Sequence, residues 1–432
     1  MYTAGEKFEK GRNGMKALVL AGGFPQIALI QELKSRGIEV VLADYNEEPV
    51  AKKYADKFFR ISTLDVDAIR ILAVEEKVDF LITVCTDQAL HTVAKVSEDL
   101  GLPCYLDYDT ALKVTNKQHM KRVFAERGIP TAKHLILGQL DEAAVANMRY
   151  PLIVKPVDCN SSKGVRRCDN LKELKTYFAE AVQFSRTNTA VIEEFIEGEE
   201  LSVDVYVEGG KAHVLCISNS EKLADKDKFV IFRTIYPAAV DESIVRQVET
   251  ISQQIADAFG IEDSPMLIQL LTDGKSAYVI EFSARTGGGV KYLLIRHVSG
   301  FDVVKAVVDL TLGIKPHVNI KAPKTRYLVN DFIYCRPGIF DHLEGFDTLK
   351  AEGILTDYYL FKWQGAEFSS IGASGDRVAG YTVTGNTPET LIEKHEKVSG
   401  RIAAVSISGE DMIRHDLLTP LDTQNGFLYS KK

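Results

Sequence analysis

The stretch SPMLIQLLTDGKSAYVIEFSARTGGG, residues 264–289, holds two apolar runs separated by a turn at Asp273 and Gly274. It reads as a β-hairpin. Because strand side chains alternate between faces, Glu281, Ser283 and Arg285 project from one side of the second strand, just before three successive glycines. A carboxylate, a hydroxyl and a guanidinium at the end of a hydrophobic strand need partners, since an unpaired buried charge is costly. The turn length sets what the first strand offers. Two loop residues would put Gln269 across from Tyr278, on the face away from Glu281, whereas three, Asp273 to Lys275, would put it across from Val279 and let Gln269 and Glu281 share a face.

Upstream, KALVL (16–20), a glycine turn at Gly22 and Gly23, a helix with Ile27, Ile30 and Leu33 on one face, Gly37 as its stop and IEVVLA form a β-α-β unit. DFLITV (79–84) adds a third strand. Asp44 follows the glycines by about twenty residues, as the acidic ribose ligand of a dinucleotide site does, but AGGFPQ lacks the spaced glycines of that fingerprint. Asp87, beyond the third strand, either touches a substrate or, more plainly, caps the next helix. In TNKQ (115–118), Thr115 and Gln118 fit a capping box and set Lys117 in a first helical turn. The helix dipole disfavours a cation there unless an anion or acidic neighbour compensates.

PLIVKP (151–156) is a strand with Lys155 near its end. The loop after it carries Ser161, Ser162 and Gly164, which can close backbone N–H groups and hydroxyls over phosphate oxygens or form an ordinary surface hairpin. AVIEEFIEGEELSVDVYV (190–207) gives an apolar strand, an acidic turn around Gly198, and a strand with Leu201, Val203, Val205 and Val207 on one face. Past the triple glycine, a helix from about Asp302 to Leu310 leads to a break near Pro316 and Pro323. The tail has strand-like YLVNDFIY and AGYTVTG and a helix in TPETLIEKHEKVSGRI.

The 432 residues, 45% hydrophobic and 26% charged, exceed one compact core and imply several domains. Net charge is −8 without a basic run interleaved with aromatics, so nucleic acid is not an expected partner. No apolar segment is long enough to span a bilayer, and the six cysteines lack metal-ligand spacing, which together point to a reduced, cytoplasmic chain without membrane partners. Residues 1–14 are polar, lack the apolar middle of a secretory signal, and read as an unstructured leader.

The order of these pieces (a helix-borne lysine, a strand lysine in IVKP, a small-residue loop, VIEEFIEGEE, then Gln and Glu-x-Ser-x-Arg on a hairpin) resembles the ATP-grasp superfamily of carboxylate–amine ligases. The single-copy layout is similar to that of L-amino-acid ligases, biotin carboxylase and glycinamide ribonucleotide synthetase. The resemblance implies a mixed α/β and α+β fold: an N-terminal parallel α/β domain over 15–113, an ATP-grasp domain over 114–318 with a mobile lid at about 130–195, and a C-terminal α+β domain over 319–432.

The resemblance also assigns roles. Lys117, Lys155 and the loop at Ser161, Ser162 and Gly164 would hold the ATP phosphates, Glu193, Glu194, Phe195 and Ile196 the adenine edge, mainly through backbone atoms, and Glu200 the ribose. Glu281, Gln269 and Ser283 would bind Mg²⁺ or Mn²⁺. Relatives often have Asn at the position of Ser283 and an acid at that of Gln269, so Glu281 is the one charged ligand. Arg285 and Gly287, Gly288 and Gly289 would hold a substrate carboxylate and its acyl phosphate, a plain turn being the alternative for the glycines.

The implied reaction is ATP-dependent amide formation on an amino acid or similar small acid through an acyl phosphate, with Arg285 and Glu281 catalytic and no protein nucleophile. The partners are a small carboxylate and an amine, with a homodimer as the assembly. Biotin carboxylase-like or carbamoyl-phosphate-type carboxylation is the nearest alternative, disfavoured by Thr234 where relatives carry His and by the single copy. A non-catalytic ATP-binding scaffold is the other. The lysines of EKLADKDKF (221–229) could approach the γ-phosphate or substrate but read by default as a solvated run, and Arg233, Arg336 and Asp376 are unranked candidates for specificity.

Overall fold

The computed structural model describes residues 14–159, 164–223, 229–321 and 325–430. Nearly all of the expected leader, and both Ser161 and Ser162, lie outside the described residues. The first sheet is parallel, in the order Lys57–Arg60, Glu39–Asp44, Lys16–Leu20, Phe80–Ile82. Three of these strands are the expected ones. Lys57–Arg60 is an edge strand with no buried residue, so it offers no apolar run to read.

Strand order reverses at Lys16–Leu20, and the loops leaving it and Phe80–Ile82 open a crevice at their carboxyl ends, where ligands bind in such sheets. Asp44 braces this loop: its carboxylate accepts from Gly22 N at 2.6 Å and from Asn46 N at 2.7 Å. A Cβ on Gly22 would fall 2.6 Å from Pro49 Cβ, so the glycine lets Pro49 pack close. The acid twenty-odd residues after the glycines thus serves the turn itself, which explains the pattern without a dinucleotide.

A second, antiparallel sheet orders His134–Leu137, Ala190–Glu194, Leu152–Pro156 and Arg166–Cys168, and the helix Leu171–Phe184 buries Leu174, Phe178 and Ala181 against it. The third sheet has eight antiparallel strands: Ala277–Ser283, Ser264–Thr272, Glu199–Glu208, Lys211–Lys222, Ile231–Tyr236, Tyr327–Tyr334, Arg377–Gly385 and Asp357–Leu360. A parallel N-terminal sheet joined to a large antiparallel one is the mixed α/β and α+β class read from the sequence. Strands from both sides of residue 319 share this third sheet.

On one face of the third sheet, Leu201, Val203, Val205 and Val207 meet Ile244, Val248, Ile251, Ile255 and Phe259 of the helix Glu242–Phe259. Asp241 caps that helix, accepting from Ser243 N and Ile244 N, and Gly260 ends it at φ 64°. Each large side chain buried here is worth about 1.5–3 kcal/mol. The apolar stripe therefore fixes which face of the sheet is left for polar residues.

The hairpin differs from both expected loop lengths. Thr272 pairs with Ala277, so the connection has four residues, Asp273 to Ser276, with Asp273 accepting from Lys275 N and Ser276 N at 2.9 and 2.8 Å. Leu270 pairs with Val279, but Gln269 pairs with Glu281, which leaves Ile280 as an extra residue in a β-bulge. That residue reverses the alternation. Val279 lies in the core before it, Phe282 and Ala284 lie in the same core after it, and Glu281 emerges on the face of Gln269.

Candidate active site

The helix Lys117–Arg127 starts one residue later than a capping box at Thr115 requires. Thr115 Oγ1 donates back to Ala111 O at 2.8 Å, which ends the helix Tyr108–Thr115, and Asn116 is the cap, accepting from His119 N at 3.0 Å. Lys117 is then the first helical residue, and its compensating anion is Glu281, at 3.0 Å. Lys117 Nζ also donates to Cys159 O at 2.8 Å. Burial opposes ionisation of Glu281, but Lys117 and Lys155 outweigh it and hold the carboxyl below the usual carboxylate range.

One turn further along the same helix, Lys121 is 1% exposed and lies 2.6 Å from Glu193 Oε1, while Lys155 lies 2.6 Å from Glu193 Oε2. Glu193 thus bridges two ammonium groups. Burial would raise its pKa, yet the two lysines bring it down to about 2. Two cations share one anion, so the cluster carries a surplus positive charge at the wall of a cavity of ≈ 1370 Å³. Lys121 went unnoticed in the sequence, although its place four residues after Lys117 sets both on one helix face.

Of the remaining expected nucleotide residues described, Glu194, Phe195, Ile196 and Glu200 border the same cavity and Gly164 does not. The Glu194 and Phe195 N–H groups donate to Lys133 O and Pro151 O, both at 2.9 Å. The Glu194 carboxylate turns to Arg149 N at 3.1 Å, and the Arg167 guanidinium lies 4.7 Å from the Phe195 ring. Ile196 also lines the cavity. Glu200 is buried, pairs with Lys222 and accepts from Gln269 Nε2 at 3.3 Å. Lys222 therefore belongs to the site and is no solvated lysine. Gly164 has φ +73°, and a Cβ there would come 3.0 Å from Pro156 Cγ.

At the far end, Asp87 does not cap its helix with its side chain. Its carboxylate receives Arg285 Nε at 2.7 Å, the other fork of Arg285, and the Ser283 hydroxyl. Arg285 and Asp87 join the glycine hairpin to the N-terminal crevice, and Arg285 Nη1 donates to Thr286 O at 2.9 Å. Gly287 and Gly289 run beside Asp204 and Arg377, and Gly288 beside Cys85 O.

Two other candidates are occupied elsewhere. Arg233 grips Asp331 at 2.5 and 2.7 Å, and Asp376 closes a turn by accepting from Gly372 N and Ala373 N at 2.7 and 2.9 Å. Arg336 is exposed. The cavity also has a wall no sequence pattern announced, the C-terminal hairpin Leu421–Gln424 and Phe427–Ser430.

The donor set suits a hard cation shared with phosphate. Glu281 supplies one carboxylate oxygen face, Gln269 an amide oxygen and Ser283 a hydroxyl, and among the described residues no three His, Cys, Asp or Glu form a cage of their own. That is the pattern of Mg²⁺, which binds one or two carboxylates together with substrate oxygens. No helix among the described residues is long and apolar enough to cross a membrane.

Comparison with known proteins converges on one family. Residues 148–292 match the sequence model of the ATP-grasp domain. The carbamoyl phosphate synthase large chain of Clostridium acetobutylicum is 24% identical over 288 residues, 65% of this chain and 26% of that one. The chain therefore spans about a quarter of that relative's length. The L-amino acid ligase of Bacillus licheniformis superposes with TM-score 0.76 at 21% identity, over 91% of this chain and 99% of that one. The biotin carboxylase domain of the Hydrogenobacter thermophilus 2-oxoglutarate carboxylase superposes with TM-score 0.75 at 18% identity, over 93% and 92% of the two chains. Residues 148–292 thus match an ATP-grasp domain, within a chain whose fold is similar to those of an L-amino acid ligase and a biotin carboxylase domain.

Proposed function

We propose that the chain is an ADP-forming carboxylate–amine ligase that makes an amide bond on an amino acid or similar small carboxylic acid through an acyl phosphate. The observation that carries this reading is the sequence of groups along one sheet face. Glu200 comes first, then Gln269 opposite Glu281 with Lys117, then Ser283 with Arg285 and Asp87.

In this reading Glu200 takes the ribose, Lys155, Lys121 and Lys117 hold the phosphates, and Glu194 to Ile196 meet the adenine edge. Glu281, Gln269 and Ser283 would hold Mg²⁺ (or Mn²⁺), which spreads phosphate charge when bound. Arg285 holds the attacked carboxylate against the terminal phosphate and stabilises the oxyanion of the tetrahedral species. Positioning and charge stabilisation supply the rate. The L-amino acid ligase neighbour supports an amino acid as substrate. Homodimerisation belongs to the same reading and is checked by light scattering.

The test is ADP release from MgATP with a panel of amino acids, small carboxylates and bicarbonate. Release that depends on an amino acid or small acid is expected. Release with bicarbonate alone would move the assignment to carboxylation, and ATP binding without turnover on any acid would make the chain a nucleotide-binding scaffold.

A further inference from the structure

We propose that Asp204 is the group that takes the proton from the incoming ammonium substrate in the amide-forming step, an inference that rests on the ligase reading above. The strand Glu199–Glu208 acts as a ruler, with Glu200, Ser202 and Asp204 on its polar face at intervals of about 7 Å. Ser202 pairs with Gln269, which pairs with Glu281, so this row holds the metal and phosphate groups. Asp204 pairs with Leu267, which pairs with Ser283, so Asp204 stands in the next row, beyond the phosphates and level with the hydroxyl that shares Asp87 with Arg285. An amine that attacks a carbonyl held by Arg285 arrives in that row.

Asp204 is 1% exposed, and neither carboxylate oxygen has a hydrogen-bond partner. A buried charged group left so is costly, and structures normally satisfy it. The groups facing it are Lys291, at 3.9 Å on the helix Lys291–Ser299 and itself donating to Ser218 Oγ at 2.7 Å, the Arg285 guanidinium, and the thiols of Cys85 and Cys216. Gly287 runs against it: a Cβ there would fall 3.2 Å from Asp204 Oδ1 and 2.8 Å from Lys291 Cγ, so the glycine leaves room for Lys291 beside the carboxylate. Burial raises the carboxyl to about 6, with Lys291 and Arg285 pulling the other way. A carboxylate in that range takes a proton and returns it near neutral pH.

The step balances without a further reactant. The substrate ammonium gives one proton to Asp204, and its nitrogen lone pair forms the C–N bond at the acyl carbon. The C–O bond to phosphate breaks, phosphate leaves with the electron pair, and the second nitrogen proton passes to the departing phosphate as the amide forms. Hydroxylamine is largely neutral near pH 7 and needs no such base.

The full chain is assayed with MgATP and the panel of acids, using amino acids as amines and, separately, hydroxylamine. Asp204→Asn is expected to lower amide formation about 100-fold while hydroxamate formation from the same acid stays within about 3-fold of the wild type, and Asp204→Glu is expected to restore part of the amide rate. Asp204→Ser repeats the contrast should the asparagine variant fail to fold. Equal loss with amine and hydroxylamine would make Asp204 a counter-ion for Lys291 and overturn the proposal, as would an unchanged amide rate. A wild type that forms neither ADP nor hydroxamate with any acid would fell the ligase reading first and this step with it.

Discussion

Two buried charge clusters, one on the third sheet and one on the second, are built to opposite specifications. Around Arg233, which is 0% exposed, every donor is used: Asp331 takes its fork, Ser430 Oγ lies at 2.6 Å, Thr419 O at 2.7 Å, and Tyr381 and His395 complete the carboxylate of Asp331 at 2.9 and 2.7 Å. Around Glu193, two lysines share one acid and face a cavity. Burial of charge is common to both, but around Arg233 the acids Asp331 and Glu221 outnumber the guanidinium, whereas around Glu193 the cations outnumber the acid. A surplus beside open space marks a ligand site more surely than a perturbed pKa, because Asp331 too is held well below the usual carboxylate range, burial being outweighed by Arg233 and His395.

That contrast can be broken by substitution. Glu281→Gln should lower ADP-forming turnover about 10³-fold while the urea midpoint stays near wild type, since the residue borders the cavity and not the core; unchanged turnover in a folded variant would remove the metal role. Asp331→Ala should do the reverse, costing about 3–5 kcal/mol of stability in urea unfolding by stranding Arg233, with ADP affinity retained by the folded fraction. A small stability loss together with a lost ADP site would show the Arg233 cluster to be part of the nucleotide site.

Lys155→Ala should weaken ADP binding about 10- to 100-fold in calorimetry, and unaltered affinity would mean that its charge serves Glu193 alone. The smallest effect is in acid. Glu193 has a pKa of about 2 in the fold, below its unfolded value, so the unfolded state binds more protons between the two. Its contribution is complete above the unfolded pKa and fades as pH falls toward about 2. Urea midpoints taken from neutral pH downward should fall less steeply for Glu193→Gln than for the wild type, and parallel slopes would contradict the bridge.

What the sequence disclosed follows the range of the interactions. The parallel strands, the stripe Leu201 to Val207 and the lysines of the resemblance are written in local periodicity and neighbouring residues. The Asn116 cap is a one-residue matter decided by Thr115, whose hydroxyl was already committed to the preceding helix. Asp87 looked like a cap because its partners, Ser283 and Arg285, lie nearly 200 positions away. The same distance in sequence hid the hairpin at 421–430, which is tied to the site by Glu221 accepting from Ser430 N at 3.0 Å. Lys121 alone was within local reach.

Ile280 shows how an address can be written by counting. Keep that letter but flatten the bulge, and strict odd–even order returns to the strand: Glu281 and Ser283 swing into the oil against Phe259, and Phe282 comes out. Omitting the letter keeps the address, because Glu281 then follows Val279 in plain alternation opposite Gln269, so the hairpin tolerates the loss of Ile280 better than its absorption into the ladder.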